Sequence, residues 1–262
     1  MEKLLTNEFF KTFTSLLDIN LDEAFGMVKE RDWSVENFRF FTAVSVMSSS
    51  KIEGEEMEVD SYVKHKVLNI EYLPNLTEKP NDLYEAYEFA RDHELTLPNF
   101  LNTHSIATKH LLPEKQRGVV RTGNMLIMEQ QTQRIQYEAA SSANVKEEFG
   151  KLWDELNILV KTQLATDEVF YYAALLHLVF VKIHPFNDGN GRTGRLLEKW
   201  FLSTMLGPKA WYIGSEYYYY KNIQAYYKNL GRLGLFYEDL QYEKCLPFLM
   251  MLPQSLIVKE SN

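Results

Sequence analysis

The chain has 262 residues, of which 45% are apolar and 14% aromatic, enough to bury a large core and too hydrophobic for intrinsic disorder. Its formal net charge of -8 argues against a general nucleic-acid binder, so any anion site must be local. No apolar run reaches the roughly 18 residues that a membrane-crossing helix needs. The opening MEKLLTNEFFKTF lacks the apolar core and cleavage site of a signal peptide, and the single Cys245 allows no intrachain disulfide. Both features lead us to expect a reducing, cytoplasmic setting.

Helical patterns dominate in chain order. Residues 8–29 place Phe9, Phe13, Leu16 and Leu17 at helical spacing, with Asp22 as the expected cap of a second short helix. Ser34 is the expected N-cap of a longer helix, with Asn37 three residues on. That helix would run through Phe38, Phe41, Val44 and Met47 to Ser48, Ser49 and Ser50, and stop at Gly54. Residues 81–94 predict an amphipathic helix with Leu83, Tyr87 and Ala90 on one stripe. Another follows Pro98 and includes Ile106 and Leu111. Residues 118–136 carry β-branched residues, an interior Gly-Asn and partial alternation, which predict a short hairpin. Helical periodicity returns over 145–163, 167–183 and 192–205, is broken at Gly207-Pro208, and resumes over 215–230 and 237–252. There is no internal repeat and no clear linker.

The segment 184–195, HPFNDGNGRTGR, joins two of these helices through a loop that Pro185 forces. Glycines at such a junction let backbone N–H groups converge on an anion, and the following helix N-terminus adds partial positive charge. Arg192 and Arg195 are three apart and share a helix face, so both can reach a phosphate chain. Asp188 is a hard oxygen donor suited to Mg²⁺ on phosphate. His184 is a candidate general base. A rival reading takes Gly189-x-Gly191-x-x-Gly194 as a dinucleotide fingerprint. It would use the β-branched run Leu178–Ile183 as its strand and Glu216, after strand-like 211–213, as its ribose acid. The five positions from His184 to Asp188 between run and glycines, four of them polar or breaker residues, and the lack of alternating strands and helices count against it.

HPFNDGNGRTGR resembles the signature of the Fic family, H-P-F-x-[D/E]-G-N-G-R-x-x-R, at every specified position. Gly118 to Arg121 is similar to the family's G-x-[YF]-R element, with Val120 in place of the aromatic. Tyr226, Tyr227 and Leu230 resemble its Y-Y-x-x-L element. Upstream, Ser49 to Gly54 (SSKIEG) fits the family's inhibitory pattern, [S/T]-x-x-x-E-[G/N].

The resemblance implies a mainly α, Fic (Fido) helical core over 96–240 with a short β-hairpin flap. An N-terminal helical extension (1–95) would carry the inhibitory helix at about 35–54, and 241–262 would form a C-terminal helix and tail packed on the core. It further implies a protein adenylyltransferase that uses ATP as co-substrate and Mg²⁺. His184 would take the proton of a Ser, Thr or Tyr hydroxyl, and Asp188 would hold the metal. Gly189, Asn190, Gly191, Arg192, Thr193, Gly194 and Arg195 would hold phosphates, Arg195 pairing with the γ-phosphate, and Tyr226 and Tyr227 would line the adenine pocket. Glu53, with Ser49, would pair with Arg195 and compete with the γ-phosphate. The partners implied are ATP and a target-protein hydroxyl, which can be the chain's own; a homodimer is compatible, and neither nucleic acid nor membrane is expected. The alternatives are AMP removal, another phosphate transfer, or a non-catalytic nucleotide-binding module. Gly191 disfavours the kinase-like variant, since the Doc toxins carry Lys there.

Plainer roles fit other residues. His177 is expected as a buried structural histidine, and His104 and His110 as surface or packing residues. Phe186 reads as a core anchor, Tyr217–Tyr220 as packing surface, Cys245 as a small core residue, and the acidic run 53–60, apart from Glu53, as a solvated face.

Overall fold

The computed structural model describes residues 3–28, 35–128 and 135–257. Its helices are α1 (Phe10–Ser15), α2 (Leu21–Met27), α3 (Val35–Ile52), α4 (Val59–Leu68), α5 (Pro74–Asp92) and α6 (Leu97–Ala107), followed after the hairpin by α7 (Val145–Leu159), α8 (Thr166–Ile183), α9 (Asn190–Leu206), α10 (Ser215–Lys221), α11 (Ile223–Gly231), α12 (Leu246–Leu249) and α13 (Met251–Gln254). Strands β1 (Leu126–Met128) and β2 (Ile135–Glu138) form an antiparallel hairpin, the only sheet among the described residues, with Ile127 opposite Tyr137 and an irregularity between Ile127 and Met128. The fold is therefore mainly α, as the periodicity predicts. Among the described residues, no helix is long and apolar enough to cross a membrane.

α8 is the centre. It is apolar all round, and every residue from Val169 to Ile183 is buried. α9 packs along it, and Gly194 sets how closely. A Cβ there would lie 3.1 Å from side-chain atoms of both Phe180 and Val181. α3 lies across α4, α5, α9 and α10. Ala43, Val46 and Met47 are fully buried, and Phe38 meets the edge of the Trp211 ring. One apolar core runs from Leu4 to Leu252, so the N-terminal helices and the later ones share it. Polar groups cross it as well. The Lys199 ammonium on α9 donates to Ser45 on α3 at 2.8 Å and to Glu216 on α10 at 2.5 Å, and Glu216 accepts from Tyr87 on α5 at 2.7 Å.

Several boundaries differ from expectation for local reasons. The second short helix is capped by Asn20, whose side chain accepts the Glu23 N–H, and Asp22 lies within its first turn. The expected cap Ser34 lies outside the described residues. The helix over 81–94 begins earlier, at Pro74, a favourable first position. α6 stops at Ala107, and Leu111 lies beyond it. The hairpin strands start later than 118, and the stretch 118–125 is used as connecting loop. The tail 237–252 breaks into 3₁₀ turns and two four-residue helices, since Pro247 and Pro253 withhold N–H groups. Leu178–Ile183 is the end of α8 and 208–212 is a 3₁₀ turn, so neither segment of the dinucleotide reading is a strand, and that reading fails.

Candidate active site at the α8–α9 junction

The loop between α8 and α9 is built by its own backbone. His184 ends α8 in the left-handed region (φ 52°), which turns the chain sharply and half-exposes the imidazole. Asn190 is buried and uses both ends of its side-chain amide on Phe186, accepting from its N–H at 2.9 Å and donating to its carbonyl at 2.8 Å. Phe186 is fully buried and stacks on His104 at 3.7 Å. Gly189 enters α9 at φ 79°, where a Cβ would fall 2.5 Å from Thr108. Among the described residues no side chain caps α9, which leaves its first N–H groups suited to an anion.

Two residues brace the loop from outside. His104 on α6 is fully buried. Its Nδ1 accepts the Gly118 N–H at 2.8 Å and its Nε2–H donates to the Asp188 carbonyl at 2.9 Å. Burial pushes its pKa down to about 4, so it stays neutral. It is neither a surface residue nor simple packing, which corrects the plain reading. Arg121 is also buried. Its fork donates to the carbonyls of His184 (2.7 Å), Ile183 (3.2 Å), Gly123 and Ala140. The Arg of the G-x-x-R element thus ties three segments together behind His184.

His184, Gly191, Arg195, Tyr226, Tyr227 and Glu53 line one cavity of about 670 Å³. Burial pushes the His184 pKa down to about 4, helped by repulsion from Arg121 and Lys182. Its Nδ1–H donates to the Val181 carbonyl at 3.2 Å, so the neutral ring keeps its lone pair on Nε2. Arg195 is 1% exposed and fully engaged. Nε donates to the Ser49 hydroxyl at 2.8 Å, Nη2 to the Ser49 carbonyl at 3.1 Å and to Glu53 Oε1 at 2.7 Å, and Nη1 to the Tyr226 hydroxyl at 3.3 Å. Burial opposes the charge on Glu53, but Arg195 and then Arg192 outweigh it, and the carboxyl is held below its usual range. The structure thus brings Ser49, Glu53 and Arg195 into contact from opposite ends of the sequence.

Asp188 is exposed on the loop, and one of its oxygens accepts the Gly189 N–H at 2.6 Å. Its other oxygen has no protein partner among the described residues. A single hard carboxylate oxygen suits Mg²⁺ that takes its remaining ligands from phosphate and water. No group of three or more metal-ligating side chains occurs among the described residues. Other expected phosphate contacts face the protein instead. The Thr193 hydroxyl donates to the Gly189 carbonyl, Gly194 lies against α8, and the Asn190 amide is committed to Phe186. Arg192 is held by Glu55 at 2.9 Å, which also accepts from Lys79 at 3.0 Å. Glu55 therefore leaves the solvated face assigned to the acidic run. Its only sequence signal is its closeness to Glu53, two residues on, as Arg192 is close to Arg195.

The plainer expectations mostly match. His177 is fully buried between Glu198 (2.8 Å) and the Tyr226 hydroxyl (3.0 Å). His110 pairs with Asp82, and Cys245 is buried. Tyr226 is buried beneath the cavity, whereas the half-exposed Tyr227 donates to the Ile52 carbonyl at 2.9 Å.

Residues 94–202 match the model of the Fic/DOC family. The comparison with curated proteins gives no match. Among solved structures, a Fic family protein from Desulfovibrio desulfuricans G20 is similar with a TM-score of 0.75 at 19% identity, over 96% of this chain and 72% of that one. A Fic domain containing signaling protein from Bacteroides thetaiotaomicron VPI-5482 gives 0.66 at 19% identity, over 95% of each chain. Fic-1 from C. elegans gives 0.62 at 17% identity, over 94% of this chain and 68% of that one. At such identities these likenesses establish the fold.

Proposed function

Residues 94–202 belong to the Fic/DOC family, and on that premise we propose that the protein is an adenylyltransferase held closed by Glu53. It transfers AMP from ATP to a Ser, Thr or Tyr hydroxyl of a target protein. The observation that carries this reading is the pairing of Glu53 with Arg195 at 2.7 Å in the cavity that also holds a neutral His184.

His184 Nε2 takes the proton of the target hydroxyl. The hydroxyl oxygen bonds to the α-phosphorus, the bond from that phosphorus to the bridging oxygen breaks, and pyrophosphate leaves. The open first turn of α9 receives phosphate oxygens, and Arg195 binds the γ-phosphate, which aligns the α-phosphorus for attack. Mg²⁺ held by Asp188 would neutralise phosphate charge. Tyr227, with Tyr226 beneath it, borders the adenine. The hairpin, whose Leu126, Met128 and Ile135 are about half exposed, offers an edge to an extended target segment. The cytoplasm is the proposed setting.

Glu53 competes with the γ-phosphate for Arg195. Suppressing transfer ~100-fold takes about 3 kcal/mol, within reach of a partly desolvated charge-assisted pair. Removal of AMP is a second reading, because the Glu53 side chain is still 29% exposed and could orient a water.

The test compares wild type, Glu53→Gly and Glu53→Gly/His184→Ala with ATP labelled at the α- or γ-phosphate, reading self-modification. Label from the α position in Glu53→Gly, lost with His184, supports the proposal. Equal transfer by wild type and Glu53→Gly removes the inhibitory role. Label from the γ position alone makes the protein a kinase.

A further inference from the structure

Lys182 is the penultimate residue of α8, two positions before His184, and its side chain is fully buried. Among the described residues its Nζ has no hydrogen-bond partner, and it sits 3.8 Å over the ring of Tyr137. Tyr137 belongs to β2 and is 3% exposed. Its hydroxyl donates to the Val181 carbonyl at 2.9 Å and lies 3.4 Å from His184 Nδ1, and the two rings meet edge-on at 6.3 Å. A methionine would fill the same space without burying an amine, so packing alone does not account for lysine here. What the amine adds is a cation against the face of a ring, strongest where water is excluded.

We propose that Lys182 is a positioning residue for the base: it holds Tyr137, and with it strand β2, against the imidazole of His184. This deepens the adenylyl-transfer reading and rests on it for the kinetic consequence alone. Lys182 acts in two ways. It pins the hairpin strand over the end of α8, which keeps water from the Nδ1 side of the ring. It also adds positive charge beside His184, which disfavours the imidazolium. Burial lowers the lysine's own pKa to about 7, so below neutrality, where His184 titrates, the ammonium is present. The other charges that face His184 are Arg121, from the segment before β1, which acts in the same direction, and Glu53, from the end of α3, which opposes both.

The experiment uses the Glu53→Gly protein with Lys182→Met, Lys182→Arg or Tyr137→Leu added, and two readouts. One is α-label transfer against pH at saturating ATP. The other is the titration of the His184 imidazole by NMR, which needs no activity. Lys182→Met is expected to raise the His184 pKa by about one unit, and the loss of its hold on Tyr137 is expected to lower the transfer rate about tenfold by misplacing the imidazole. Lys182 does not line the cavity but Tyr137 does, so the KM for ATP should rise less than the rate falls. Lys182→Arg, which restores a cation over the ring, should recover part of the rate. Tyr137→Leu removes the ring from the other side and should move the titration in the same direction. A purely structural lysine would cost melting temperature and leave the titration in place. If every variant that folds leaves the His184 titration unmoved, the proposal is overturned. If the titration moves while the Glu53→Gly parent transfers no label, the adenylyl-transfer reading falls and the hold of Lys182 on His184 stands.

Discussion

The carboxylate of Glu53 fills the space in which a side chain at Gly191 would begin. A Cβ at Gly191 would lie 2.2 Å from Glu53 Oε1 and 3.0 Å from its Cδ. The two residues are far apart in sequence, and their fit makes glycine a requirement of the closed site. In Gly191→Ala the methyl group must push the carboxylate off Arg195. We expect a loss of about 1–2 kcal/mol in the wild-type background. In Glu53→Gly the obstacle is gone, and alanine, the better helix former, should cost nothing. Thermal unfolding of the four proteins in this cycle checks it, and additive effects would refute the fit.

Glu55 on Arg192 repeats the arrangement of Glu53 on Arg195. Its side chain is 13% exposed, that of Arg192 5%, and Lys79 braces it from α5. Removing Glu53 alone therefore leaves one of the two arginines occupied. Glu53→Gly/Glu55→Ala should bind ATP about tenfold more tightly than Glu53→Gly, equivalent to roughly 1.4 kcal/mol. Calorimetric titration with ATP decides it. Equal affinities would mean that Arg192 does not meet phosphate.

How much of this could be read from the chain depends on the reach of each contact. The loop HPFNDGNGRTGR announces itself because histidine, aspartate, glycines and arginines sit within twelve consecutive positions. The Glu53 motif was readable only through family resemblance, since nothing local says that α3 ends beside α9. Glu55, His104 and Lys182 were not readable as parts of the site. Their partners lie in other helices or in the hairpin, and a lone histidine on an amphipathic helix looks like packing. The fold class followed from periodicity, while the tail and the cap of α2 turned on single residues, Pro247, Pro253 and Asn20.

His104 and His184 both have pKa values near 4, below the roughly 6.5 of an unfolded histidine. Between those values the unfolded chain binds more protons than the folded one, so stability falls as pH falls from about 6.5 toward 4. Each fully buried imidazole contributes up to about 1.4 kcal/mol per pH unit; the half-exposed His184 gives less. Glu53, held below its usual range, adds a loss only at lower pH. His104→Asn keeps an acceptor for the Gly118 N–H and no longer titrates, so its stability should vary less steeply between pH 6.5 and 4. Denaturant midpoints across this range measure it, and an unchanged slope contradicts the buried, neutral His104.

Arg121 donates to carbonyls on three segments around His184, a geometry that only a planar fork supplies. Arg121→Lys keeps the charge but leaves buried carbonyls unpaired, at a cost of about 2–4 kcal/mol. Amide exchange in residues 184–189 should quicken more than in α7. Uniform exchange across both regions would show that the fork stabilises the whole fold without holding the loop.

α3 carries Glu53 at its end, yet most of its length is buried in the common core, and Ser45 supplies one of the few acceptors of the enclosed Lys199. A shortened chain beginning after Gly54 would lose Phe38, Val46 and Met47 and strip cover from Trp211 and Tyr212. The result would be an apolar wall prone to aggregation, not a liberated enzyme. The proposed brake is thus not a cassette that proteolysis or domain dissection can lift away. On that proposal, relief of the brake has only the final turn of α3 to work with, and inhibitors or activators sought for this protein should be aimed at that turn.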